Sequence, residues 1–198
     1  MIEILATVLH SQKSARARSR SCRFAPHKAC QTVGANPIIV TSSSDWKLEL
    51  AREYGADIII KLRKEGPLRS VLRETDGKGA DVVIEAAGSP DAMKQANDIV
   101  RSAGRILQFG TISREVNNFN AFPIHLKELT ILGSRAYTQE AIKQAIRLVN
   151  SGAIDLAPLA THEFPLGNIE EGLLTHSGNS DRLRIVIKPR HYSSKEPQ

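Results

Sequence analysis

Cysteine, tryptophan and long apolar runs are scarce in this chain of 198 residues. It has two cysteines, one tryptophan and 5% aromatic residues. Cys22 and Cys30 belong to no Cys-x-x-Cys or His/Cys group of metal-ligand spacing, so they read as incidental reduced thiols rather than as a zinc site. No apolar run reaches the ~18 residues that a membrane helix needs. The stretch from Met1 to His10 is too short for a secretory signal and carries Glu3. The expected compartment is therefore the cytoplasm, with no membrane partner.

What is plentiful is positive charge, and it is unevenly placed. The chain has 27 Lys+Arg against 21 Asp+Glu, a net charge of +6. Six of the basic residues (Lys13, Arg16, Arg18, Arg20, Arg23, Lys28) and one acid, Glu3, lie in residues 1–34. The remainder carries 21 basic and 20 acidic groups and is almost neutral. Charge confined to one segment without interleaved aromatics argues against a nucleic-acid partner.

From Gly34 onward, apolar strands alternate with amphipathic helices, which predicts an α/β fold with a doubly wound parallel sheet. Pro37 to Thr41 is a short strand, and Ser42, Ser43 and Ser44 supply helix caps. A helix is expected from about Asp45 to Tyr54, with Trp46, Leu48, Leu50, Ala51 and Tyr54 inward and Gly55 as its stop. Ile58 to Ile60 is the next strand. Pro67 to Glu74 is a helix with Leu68, Val71 and Leu72 inward, followed by the turn Asp76-Gly77-Lys78-Gly79. Ala80 to Glu85 reads as a buried strand and Pro90 to Arg101 as a helix capped by Ser89, with Gly88 allowing close backbone approach. Arg105 to Phe109 and Leu129 to Leu132 are two further strands, separated by a polar loop. A long helix from Thr138 or Gln139 closes at Gly152. His162 to Pro165, a short helix near Ile169 to Thr175 and the strand Arg184 to Ile187 read as chain returning toward a neighbouring domain.

The stretches Gly34-Ala35-Asn36-Pro37-Ile38-Ile39-Val40-Thr41, Tyr54-Gly55-Ala56-Asp57, Gly79 to Gly88, Leu129 to Ser134 and Thr161 to Leu166 occur in one order and spacing. Over residues 34–189 they resemble the cofactor-binding domain of zinc-type medium-chain dehydrogenases, in the sorbitol and threonine dehydrogenase branch. The resemblance implies a Rossmann-type domain at 34–160 that binds NAD(P), a return segment at 161–189 and a polar tail at 190–198. It implies that residues 1–14 are the remnant of a connection to a catalytic domain. Glu3 to His10 resembles the family's Glu-Pro-Leu helix, with Ile4 in place of the proline; a solvated carboxylate is the competing reading of Glu3.

Residues 15–33 break the pattern. Where the family has a first strand and a Gly-x-Gly-x-x-Gly turn, this chain reads Ser14-Ala15-Arg16-Ala17-Arg18-Ser19-Arg20-Ser21-Cys22-Arg23. Glycines there let the backbone approach a pyrophosphate at a helix N-terminus, and arginines fill that space. Arg18, Arg20 and Arg23 nevertheless repeat with the glycine spacing. Read one base later, codons from Arg18 to Val33 permit Gly-Ala-Gly-Pro-Val-Gly-Leu-Leu-His-Ile-Lys-Leu-Ala-Lys-Leu-Leu. The glycines are permitted by codon choice and not forced. The segment is thus expected to be out of frame, through a gene-model error, a sequencing error or a real lesion. As translated, it leaves the sheet without its first strand and covering helix, so apolar strand faces are expected to be exposed.

The resemblance also assigns cofactor-binding residues at the carboxyl ends of the strands. Ser42 replaces the acid that accepts from the adenosine ribose, and Lys47 lies five positions on; together they favour NADP over NAD, while capping alone explains the serines equally well. Ala87 and Gly88 border the adenine side. Phe109, Gly110 and Thr111 border the nicotinamide ribose, and Ser134 and Arg135 the nicotinamide edge. Ala136 stands where the branch has an arginine. The family's zinc ligands would fall before residue 1, and His10, His27, His125, His162, His176 and His191 have no ligand spacing. The expected function is that of a fragment of a zinc-dependent NAD(P) alcohol or polyol oxidoreductase, inactive alone. The second reading, from another class, is a non-catalytic Rossmann-fold binding domain, in which the Leu129 to Leu132 edge would pair with a second copy.

Overall fold

The computed structural model describes residues 35–62, 64, 66–134, 138–177 and 183–189. The expectations for Glu3, Cys22, Cys30, the arginine-rich segment, Arg135, Ala136 and residues 190–198 lie outside the described residues. The chain divides into two compact units, Met1–Ile154 and Asp155–Gln198.

The first unit alternates strand and helix: β1 (Ile39–Ser42), α1 (Asp45–Glu53), β2 (Ile58–Lys61), α2 (Pro67–Glu74), β3 (Ala80–Glu85), α3 (Pro90–Ile99), β4 (Val100–Gln108), α4 (Phe122–Leu126), β5 (Thr130–Gly133) and α5 (Gln139–Asn150). Every pairing is parallel, as the alternation requires. Among the described residues the strands form two sheets, β1-β2 and β3-β4-β5.

Several local features follow the chain's own chemistry. Ser89 and Thr138 sit in extended backbone and accept from the N–H groups of Ala92 and Ala141, both at 3.2 Å, so they cap α3 and α5. Gly55 and Gly152 have φ of 89° and 71° just past α1 and α5, the left-handed stop that glycine adopts without strain. Leu48, Ala51 and Tyr54 bury one side of α1, while Trp46 and Leu50 are half-buried. A second cluster, Met93, Ala96, Val100 and Ile106, joins α3 to β4, with Val83, Leu129 and Ile131 packed against it.

The structure departs from the sequence reading at several places. Ser44 is the N-cap residue of α1 but makes no side-chain cap bond; instead its N–H donates to Ser42 Oγ at 3.2 Å. Leu68, expected inward, is 40% exposed, because the buried side of α2 is centred on Ser70 and Val71. Helix α3 ends at Ile99 rather than at residue 101, since Val100 turns extended and is drawn into the core at 1% exposure. Strand β4 accordingly starts early and is interrupted: its register against β3 shifts between Ala80 and Val82, and Ala103 has φ 54°. The loop before β5 contains a five-residue helix, α4, that its single turn of polar-flanked sequence does not announce.

Strand β3 is less buried than its composition suggests. Val82 is 45% exposed and Asp81 is exposed.

The second unit contains β6 (Ala160–Pro165), α6 (Ile169–Ser177) and β7 (Arg184–Lys188), with β6 and β7 parallel. Thr161 Oγ1 accepts from the Leu183 N–H and donates to the Arg184 carbonyl, stitching the two strands at their start. Gly172 brings α6 close to the sheet, where an added Cβ would lie 2.9 Å from Ile187 Cδ1.

Candidate functional site

Register places the ends of three strands side by side. Glu85 is opposite Gln108, and Gln108 is opposite Gly133. The residues that follow, Ala86 to Ser89, Phe109 to Thr111 and Ser134, therefore emerge together at the carboxyl end of the sheet. In open α/β sheets this is where ligands bind.

The first two of these loops are locked together. The Phe109 and Gly110 N–H groups donate to the Glu85 carbonyl at 2.8 and 2.7 Å. The Gly88 N–H donates to Glu85 Oε1 at 2.7 Å. Gly88 has φ 67°, and a Cβ there would lie 2.8 Å from the Thr111 carbonyl oxygen. A Cβ on Gly110 would lie 2.2 Å from the Gly88 nitrogen and 2.7 Å from Glu85 Oε2. Backbone meets backbone at this crossing, and only glycine fits at both positions.

By its sequence Glu85 is simply the last residue of β3. Its side chain is 3% exposed, and Oε2 has no hydrogen-bond partner among the described residues. The Glu-x-x-Gly spacing was the available signal: a carboxylate three residues before a left-handed glycine can accept its N–H.

At β1 the cleft side carries different chemistry. A cleft of about 790 Å³ runs between β1 and β3, and Ser42, Ser43, Lys47, Ala86 and Ala87 line it near the strand ends. Ser42 is half-buried and its Oγ accepts from the Ser44 N–H. Lys47 Nζ stands 5.2 Å from the centroid of the Trp46 ring, within cation-π range. Beneath them Lys61 pairs with Asp45 at 2.5 Å, and Asp57 Oδ2 accepts from the Ile38 N–H at 2.6 Å, holding the start of β1 to β2.

Of the residues assigned by resemblance, the structure brings Ser42, Lys47 and Ala87 to one cleft and Gly88, Gly110 and Thr111 to one loop crossing. Phe109 has its ring in the core at 1% exposure, so only its backbone faces the crossing. Ser134 is 7% exposed at the end of β5. Arg135 lies outside the described residues. The rim at the end of β1 is polar and carries the Lys47 ammonium beside Ser42 and Ser43. Among the described residues no group of three or more His, Cys, Asp or Glu can hold a metal ion. No helix among them is long and apolar enough to cross a membrane.

Residues 27–151 match the model of the zinc-binding dehydrogenase family. The chain is 32% identical over 158 residues to an L-threonine 3-dehydrogenase of Bacillus subtilis, covering 79% of this chain and 46% of that one. It superimposes with a TM-score of 0.82 on the alcohol dehydrogenase TADH from Thermus sp. ATN1, at 25% identity, over 92% of this chain and 55% of that one. A zinc-binding dehydrogenase from Sinorhizobium meliloti bound to NADP shares the fold, with a TM-score of 0.81 at 23% identity over 94% and 58%. The chain thus spans about half the length of the curated relatives it matches.

Proposed function

The chain belongs to the zinc-binding dehydrogenase family, and we propose that it supplies the nicotinamide-cofactor site of an alcohol or polyol oxidoreductase, with NADP preferred over NAD. The observation that carries this reading is the convergence of Ser42, Lys47 and Ala87 on one cleft at the carboxyl ends of β1 and β3. A carboxylate at the end of β1 would repel a 2′-phosphate. Ser42 does not, and the Lys47 ammonium attracts one. Ala87 and the Gly88 loop would bound the adenine side, Phe109 to Thr111 the nicotinamide ribose, and Ser134 with Arg135 the far edge.

A bound nicotinamide would supply hydride exchange with a secondary alcohol. The residues of this chain bind and orient; the Glu85 carboxylate fixes the two loops, and the glycines keep them low enough for a ligand to lie across them. Zinc and the alcohol site belong to the half of the family's length that this chain does not span.

Titration of the 198-residue chain with NADPH and NADH, followed by nicotinamide fluorescence, tests the reading. NADPH should bind with the lower Kd. Equal affinity or tighter NADH overturns the preference, and no signal from either at about 1 mM overturns the site.

A further inference from the structure

Residues 109–121 link β4 to α4 without helix or strand. A connection of that length is uncommon inside a domain, and its path depends on the few points that hold it. Its start is held where Gly88 meets Thr111, at the entry to α3. Further along, Ile112 and Phe119 are half-buried against the cluster of Met93, Ala96, Val100 and Ile106. Between these two contacts the chain stands off α3. Arg114, Glu115 and Asn117 line a cavity of about 520 Å³ with Pro90, Asp91 and Lys94 of the first turns of that helix.

Apolar contacts such as those of Ile112 and Phe119 are non-directional, so they do not fix how far the loop sits along α3. One directional contact does. Asn97, near the end of α3, is 2% exposed, and its Nδ2 donates to the Asn120 carbonyl at 3.0 Å. Asn120 Oδ1 in turn accepts from the Phe122 N–H at 3.0 Å, so the bond fixes the point where the loop passes into α4. Helix α3 thereby holds both ends of the loop, through Gly88 at its entry and through Asn97 near its exit.

An amide is a costly way to fill that place. Asn97 Oδ1 is buried and has no hydrogen-bond partner among the described residues. A buried acceptor without a donor costs free energy that an apolar side chain of similar size avoids. Asn120 is exposed, so its carbonyl can turn to water if the bond is lost. What Asn97 contributes is therefore position rather than stability.

We propose that Asn97 is a positioning residue: its amide sets the path of the loop 109–121 along α3 and, through it, the placement of Gly110 and Thr111 at the carboxyl end of β4. The proposal rests on the cofactor reading for what lies across those two residues. The order of the loop is measured without cofactor.

The test uses the full 198-residue chain with Asn97→Leu, which keeps the bulk and loses the donor, and Asn97→Ala, which loses the donor without adding apolar bulk. NMR relaxation reads the backbone amides of Ile112 to Phe119, thermal unfolding reads stability, and nicotinamide fluorescence reads NADPH binding. Order parameters in the loop should be about 0.8 in the parent and below about 0.6 in both variants, with α5 unchanged. Asn97→Leu should unfold within about 2 °C of the parent or above it. The Kd for NADPH should rise by about fivefold or more. A merely structural role gives the opposite pattern, a lower Tm with an ordered loop. Loop order unchanged in both variants, or lost only together with stability, overturns the proposal. A loosened loop with NADPH affinity within about twofold of the parent overturns the role at the cofactor site. If the parent itself takes up no NADPH, the cofactor reading falls on its own account, and loop order in the two variants still decides what Asn97 does.

Discussion

The N–H of Gly88 donates to Glu85 Oε1 across a single turn, and the carboxylate that holds it lies in the core at 3% exposure. This pair sets the height of the loop after β3 and, through the Glu85 carbonyl, the loop after β4. Replacing Glu85 by Ala removes the acceptor and leaves a buried N–H. Urea unfolding should show a loss of roughly 1–3 kcal/mol, and Glu85→Gln, which keeps one acceptor oxygen, should lose less. Equal losses for the two variants would contradict the assigned hydrogen bond.

Glycines differ sharply in what they tolerate. Gly110→Ala drives a Cβ to 2.2 Å from the Gly88 nitrogen, whereas Gly66 and Gly133 have nothing within 4 Å. Gly110→Ala should destabilise by roughly 1–3 kcal/mol or prevent folding. Gly66→Ala should remain within about 0.5 kcal/mol of the parent in the same denaturation experiment.

Helix caps give a graded series. Ser89→Ala and Thr138→Ala each remove an observed cap bond and should cost about 1 kcal/mol. Ser44→Ala removes none and should change stability by less than about 0.5 kcal/mol. A Ser44 effect as large as that at Ser89 would show that the α1 terminus is capped differently in solution.

Lys127 holds the end of α3 from outside. Its Nζ donates to the carbonyls of Asn97, Asp98 and Val100 at 3.0–3.1 Å. Lys127→Met keeps the stem and strands three acceptors, so thermal unfolding should reveal a loss of roughly 1–3 kcal/mol. Amides in the last turn of α3 should exchange faster while those of α5 are unchanged.

For the cofactor reading, Lys47→Glu is the most direct variant. It should raise the Kd for NADPH by roughly tenfold and leave that for NADH within about threefold. Parallel loss of both would place Lys47 in the fold rather than at the 2′-phosphate.

The alternation of apolar strands and capped helices was legible because each signal is local. Ser89 and Thr138 need only the next turn of backbone to act as caps, and Gly55 and Gly152 need only their own missing Cβ. Helix α4, the early end of α3 at Ile99 and the exposure of Leu68 were not legible. Each depends on tertiary packing: Val100 is buried as extended chain, and the buried side of α2 turns on Ser70 as well as Val71.

The site divides in the same way. Sequence alone determined that Ser42, Ala87, Gly88, Gly110 and Ser134 lie at or just past strand ends, because strand ends are marked by composition. Only the tertiary structure decided that Glu85 ties two loops separated by more than twenty residues, that Gly88 and Gly110 touch, and that the edges of β1 and β3 face one cleft. Those relations arise from register between distant strands, and register is set by packing across the sheet rather than by any residue's own preference.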